Sequence, residues 1–155
     1  MNEGTDHAQV QIHPPVLTML HLLAALLLGW LIRLPVPAPG IVRWLGIVLV
    51  AAGLGLGGAA VREFAAAKTT VDPHGSVSTL VTSGPYRTTR NPIYLGFVCI
   101  LAGFPLVFGN PWGLILAPVL ILLLNRLVIR HEEAYLERKF GPAYAEFKSR
   151  VRRWI

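Results

Sequence analysis

Lysine and arginine are missing from the first 32 residues of this 155-residue chain, cysteine occurs once, and charged residues make up only 14% of it. Each shortage excludes something. With Glu3 and Asp6 present and no basic residue ahead of Arg33, the start lacks the positive n-region of a secretory signal, so the first apolar run is expected to be retained. Cys99 stands alone in an apolar run, which rules out an intrachain disulfide framework and leaves it as a small packing residue. His74 and His131 have no Cys or His at ligand spacing, so no metal is expected. There is no solenoid repeat and no low-complexity segment.

What is present is apolar and contiguous. Hydrophobic residues form 54% of the chain and the mean hydropathy is +0.55, more apolar surface than a soluble domain of this length can hide. The apolar runs approach the length that matches the hydrocarbon core of a bilayer. The sequence therefore predicts a single all-α integral membrane domain of four transmembrane helices, over about 15–34, 41–64, 93–108 and 112–129. Proline clusters bound the first two runs, since proline stops helices. Gly109-Asn110-Pro111 joins the last two into a helical hairpin, with Pro105 inside a short third run. Gly53 and Gly57 form a GxxxG pair that suits close helix packing in lipid.

Two polar regions remain. The segment 65–92 is too long to be a bare connection in so small a protein and is expected to be functional. The tail 130–155 is charged, but Leu136, Phe140, Tyr144, Phe147, Val151 and Trp154 recur at three- and four-residue steps and make one apolar stripe. Gly141-Pro142 breaks it, so the fourth helix should end near Lys139 and a short amphipathic helix should follow, on the membrane surface or against the polar loop. The net charge of +6 could point to nucleic acid, but the basic residues sit at the ends of apolar runs. With four spans, twelve of the fourteen Lys and Arg fall on the side of the loop and both termini, which the positive-inside rule makes cytoplasmic. No nucleic-acid partner is expected.

Two clusters could carry chemistry. Asn91-Pro92 reads as an N-cap and first helical residue, and the free N–H groups of such a start, with Arg87 and Arg90 close by, suit a carboxylate or phosphate. Arg126, Arg130, His131, Glu132, Glu133 and Glu137 crowd the end of the fourth span, where adjacent carboxylates need a cation or donor between them. Read singly, the arginines can be membrane anchors and the glutamates a solvated face. Together they offer an anion site, an acidic site and aromatics at one boundary. His21, inside the first span, fits an uncharged imidazole bonded to a neighbouring helix.

The stretch GPYRTTRNPIYLG, the tail HEEAYLERKFGPAYAEF and the VRRW segment resemble the isoprenylcysteine carboxyl methyltransferase family, a wider group that also takes in phospholipid N-methyltransferases. The resemblance covers about 69–154. It implies S-adenosylmethionine as cofactor, with Arg90, Asn91 and Tyr94 at its methionyl end, Tyr86 and Pro92 also in the binding site, Glu132 and Glu133 on the ammonium or ribose, and Tyr144 and Phe147 over the adenine. Arg90 or Arg87 would clamp a substrate carboxylate. Asn91 stands where relatives usually carry His, which removes a titrating base; transfer from a sulfonium needs in-line placement more than proton chemistry. The acceptor is expected to be lipophilic: a prenylcysteine carboxylate, a phospholipid amine or a small thiol. A sterol-reductase-like enzyme using a nicotinamide cofactor and a non-catalytic scaffold are the other readings.

Overall fold

Proline sets where the helices start. In the computed structural model, which describes residues 7–8, 10–72 and 75–155, four helices begin on one: α1 (Pro14–Leu31), α2 (Pro39–Ala66), α3 (Pro92–Val107) and α6 (Pro142–Arg150). A proline in the first turn gives up no hydrogen bond and arrives with φ already helical. α4 (Trp112–Leu124) runs through a π-helical turn at Asn125–Ile129 into α5 (Arg130–Phe140). No strand occurs among the described residues. Glu3, Asp6 and His74 lie outside them.

By length and composition three helices can cross a bilayer: Pro14–Leu31, Pro39–Ala66 and Trp112–Phe140. The fourth apolar helix, Pro92–Val107, is shorter, about 24 Å at 1.5 Å per residue. The first run stops three residues short of its expected end because Ile32 turns extended. α2 overruns its expected span by two residues at each end and keeps Arg62 and Glu63 within its last two turns.

α2 and α3 approach most closely. A methyl placed on Gly46 would lie 2.7 Å from the Gly103 carbonyl oxygen and one on Gly53 2.6 Å from that of Gly96, so the backbones touch and the helices run antiparallel. The working spacing on α2 is seven residues, continued by fully buried Ala60, rather than the four of the Gly53/Gly57 pair; a methyl on Gly57 would meet nothing. α1 and α4 are also antiparallel: Gln11 N donates to Leu127 O at 3.2 Å, Asn110 Nδ2 to Ala25 O at 2.9 Å and Trp112 Nε1 to Ile32 O at 2.9 Å. His21 Nδ1 bonds Leu17 O at 2.8 Å, within its own helix and not to a neighbour as expected. The outward faces of α1, α2 and α4 carry exposed Leu, Ile and Val, and Trp30, Trp44 and Phe108 are exposed at one end, as aromatic residues at a membrane boundary are.

These pairings gather the start of α1, the end of α2, the start of α3 and the end of α4 at the other end, where the polar loop and tail also lie. Between the alternatives left for the short tail helix, the structure selects the loop: Tyr144, Phe147 and Val151 form a buried cluster with Ala60, Val81 and Tyr86. Gly141, at φ 49°, makes the break between α5 and α6.

Candidate functional site

α3 begins where the sequence places it, but not by the expected cap. The Asn91 side chain makes no capping bond to its own helix; its Nδ2 donates to the main-chain oxygen of Arg153 at 2.9 Å. Thr89 Oγ1 donates to the same oxygen at 3.1 Å and accepts from Asn91 N at 3.2 Å. Asn91 is thus a tie between motif loop and tail, a task an amide performs at any pH and one needing no titrating base.

The two clusters meet. Glu133 is held by two guanidinium groups, Arg153 through Nε at 3.0 Å and Nη2 at 2.6 Å, and Arg90 through Nη2 at 3.2 Å. Its charge is therefore compensated by the protein, and its first duty is to arginine. Glu132, one residue earlier, accepts a hydrogen bond from the Tyr94 hydroxyl. Sequence motifs about forty residues apart become one wall because α3 and α5 start side by side.

Tyr86, Arg90, Asn91 and Tyr94 from the loop side, and Glu132, Glu133 and Tyr144 from the tail side, line one cleft of about 850 Å³, part of it open solvent. Pro92 is fully buried behind that wall. Arg87 is exposed on the short 3₁₀ turn Gly84–Arg87 and does not line the cleft; Phe147 is buried in the neighbouring cluster. The remaining lining is mostly apolar, with Phe64, Val81, Ile93 and Leu136 among it. Phe64 meets Tyr86 edge to face, centroids 5.6 Å apart.

Arg90 is the chemically exceptional member. Its side chain is 9% exposed, yet its Nε and Nη1 have no hydrogen-bond partner. Buried donors are nearly always satisfied, so two open ones on a cation in a cleft mark a place for an anion. Tyr144 and Tyr86 remain neutral donors: burial and the nearby Glu133 push the Tyr144 hydroxyl up to about 12, and burial, with Glu132 adding, raises Tyr86 further.

The polar segment roofs this cleft. Thr70, Asp72 and Val77 line it, Val77 N donates to the Tyr135 hydroxyl at 3.2 Å, and Lys139 Nζ donates to Ser76 Oγ at 2.8 Å. Asp72, Tyr135 and Arg153 are site residues that the motif reading passed over. Arg153 lay within the quoted VRRW segment; nothing in local spacing points Asp72 or Tyr135 toward α3. Among the described residues no group of three or more His, Cys, Asp or Glu could hold a metal ion.

Tyr94→Phe removes the donor to Glu132 while keeping the ring, and a lost bond to a buried group of this kind costs about 1–3 kcal/mol. The variant should unfold at a lower temperature in detergent; an unchanged midpoint would show the bond to be idle.

A family model for phospholipid methyltransferase matches residues 41–143. The chain belongs to the phospholipid methyltransferase family. The expectation of a membrane methyltransferase family is met, and the matched stretch contains the motif loop and the acidic pair and ends one residue before Tyr144. Among its relatives, an uncharacterized protein of Haemophilus influenzae is 40% identical over 63 residues, 41% of this chain and all of that protein. Protein-S-isoprenylcysteine O-methyltransferase B of Arabidopsis thaliana is 36% identical over 72 residues, 46% of this chain and 36% of that one. The protein-S-isoprenylcysteine O-methyltransferase of Saccharomyces cerevisiae is likewise 36% identical over 72 residues, covering 30% of its length. The family member described here thus matches about a third of these relatives of named activity. No solved structure matches.

Proposed function

We propose that this chain is an S-adenosylmethionine-dependent methyltransferase that works on a lipophilic acceptor at the cytoplasmic membrane boundary, with a prenylcysteine-type carboxylate as the acceptor class. The observation that carries this reading is the pairing of Arg90, buried with two open donors, with Glu132 on the wall of the same cleft. A zwitterion needs both. Four crossings, with the loop and tail on the basic side, complete the topology.

The fit to the cofactor rests on the donor set. Arg90 Nε and Nη1 suit a carboxylate, a planar fork meeting a planar anion. Glu132, oriented by the Tyr94 hydroxyl, suits an ammonium or hydroxyl group, and the apolar and aromatic lining suits a flat heterocycle. When bound, the cofactor supplies an activated methyl group on a sulfonium. The protein's own share is placement: Arg90 and Glu132 fix the two ends, while Val71, Val77, Leu80 and Val81 on the loop side of the cleft exclude water from the reacting centre.

A second groove supports a lipid-borne acceptor. It lies between the start of α1 (His13, Pro14, Pro15) and α3 (Phe97), and shares Val71, Asp72, Ile93 and Tyr94 with the cleft. An apolar chain lying there would bring its polar head to the cleft from the side.

Calorimetry on the detergent-purified protein tests the reading. S-adenosylhomocysteine should bind and NADPH should not. NADPH binding alone would favour a reductase, and binding of neither a scaffold. Transfer of labelled methyl groups into prenylcysteine, phospholipid and thiol acceptors then separates the acceptor classes, with prenylcysteine expected to be labelled fastest.

A further inference from the structure

Residues 152–154 form a strap across the cleft wall. The Arg152 carbonyl accepts from Arg90 N at 2.9 Å, that of Arg153 accepts from Thr89 and Asn91, and Trp154 Nε1 donates to Asn125 Oδ1 at 3.2 Å. Only one side chain of the strap reaches the acidic pair. Arg153 takes both oxygens of Glu133 in a forked pair, whereas Arg90 reaches that carboxylate with Nη2 alone.

The asymmetry has a physical meaning. A guanidinium beside a free carboxylate forms two parallel bonds where geometry allows, and that arrangement would consume a second nitrogen of Arg90. Because Glu133 already faces Arg153, Arg90 is left with a single ion-pair contact to it, and its Nε and Nη1 make no well-formed hydrogen bond although the Tyr144 hydroxyl stands beside the guanidinium.

We propose that Arg153 is a positioning residue that keeps the Arg90 guanidinium available: by occupying Glu133 it limits Arg90 to one bond and reserves Nε and Nη1 for an anionic group of the ligand. The nature of that ligand rests on the reading of the cleft given above; the competition of two arginines for one carboxylate does not. Without Arg153, Glu133 turns to Arg90 and pairs with it through two nitrogens, and any incoming carboxylate must first break that pair.

Epistasis separates this role from a structural one. In S-adenosylhomocysteine titrations of the purified protein, Arg153→Ala should weaken binding about tenfold or more, the worth of one charge-assisted bond. Arg153→Lys, which keeps the charge but not the fork, should not restore it. The double variant Arg153→Ala/Glu133→Gln should bind better than Arg153→Ala, because a neutral amide cannot hold Arg90 as an ion pair. A strap that merely holds the fold together predicts a double variant at least as weak as the single one, and that result overturns the proposal. A ligand-free readout stands beside it. In side-chain nitrogen NMR the Arg90 Nε–H resonance of the ligand-free protein should move downfield in Arg153→Ala, as a guanidinium N–H does on gaining a carboxylate acceptor. An unmoved resonance overturns the proposal; a shift gained in a protein that binds no S-adenosylhomocysteine overturns the cofactor reading and leaves the competition standing.

Discussion

Arg90→Ala is expected to reduce S-adenosylhomocysteine affinity about a hundredfold or more while leaving a folded protein. Two charge-assisted bonds of about 1.5–3 kcal/mol each are at stake, and each 1.4 kcal/mol is about tenfold in affinity. Removing Arg90 does not strand a charge, because Glu133 keeps its forked bond to Arg153. Binding and folding therefore part company in this variant. Calorimetry gives the first and a thermal unfolding midpoint in detergent the second. Affinity retained within about threefold, a difference of roughly 0.7 kcal/mol, would remove Arg90 from the site.

Gly96→Leu should do the reverse and destroy the fold before the site is reached. A Cβ at that position lies 2.7 Å from the Gly53 carbonyl oxygen, a main-chain atom that cannot swing aside, so α2 and α3 must separate along their whole contact. Overpacking of this kind costs about 3 kcal/mol or more, and in lipid the lost close contact is the very interaction that associates helices. The control lies on the same helix pair. Gly57→Leu introduces the same side chain where a Cβ meets nothing, and leucine is the better helix former. Size-exclusion profiles and unfolding midpoints should show aggregation or a large loss for Gly96→Leu and neither for Gly57→Leu. Equal behaviour of the two would mean that the glycine contact does not hold the bundle together.

What could be read in advance follows from the range over which each signal acts. Helix starts at Pro92 and Pro142 and the break at Gly141 are local, fixed by the covalent geometry of one or two residues, and they stand in the structure within a residue of where the sequence puts them. The meeting of Arg90 with the Glu132–Glu133 pair was legible through family resemblance, because each motif alone is ambiguous. The partners within that meeting were not. Asn91 reads as an N-cap on propensity, yet its amide goes to the Arg153 carbonyl, a partner 62 positions along the chain. GxxxG at Gly53 names the correct first glycine and the wrong second one, since the period that matters depends on which face α3 presents. Arg87 and Arg90 look equivalent in a string of letters; a 3₁₀ turn sends one outward and leaves the other buried.

The π-helical turn at 125–129 has a consequence for how this stretch can vary. One wider turn accommodates about one residue more than an α-helix would, and each helical residue advances the side chains by about 100°. Deleting a single amino acid there and letting the helix heal would swing Glu132 and Glu133 a quarter-turn or more away from Arg90 and Tyr94. The number of residues between the hairpin and the acidic pair is therefore something inheritance must keep constant, alongside the buried side chains of Val128 and Ile129 that the same segment supplies.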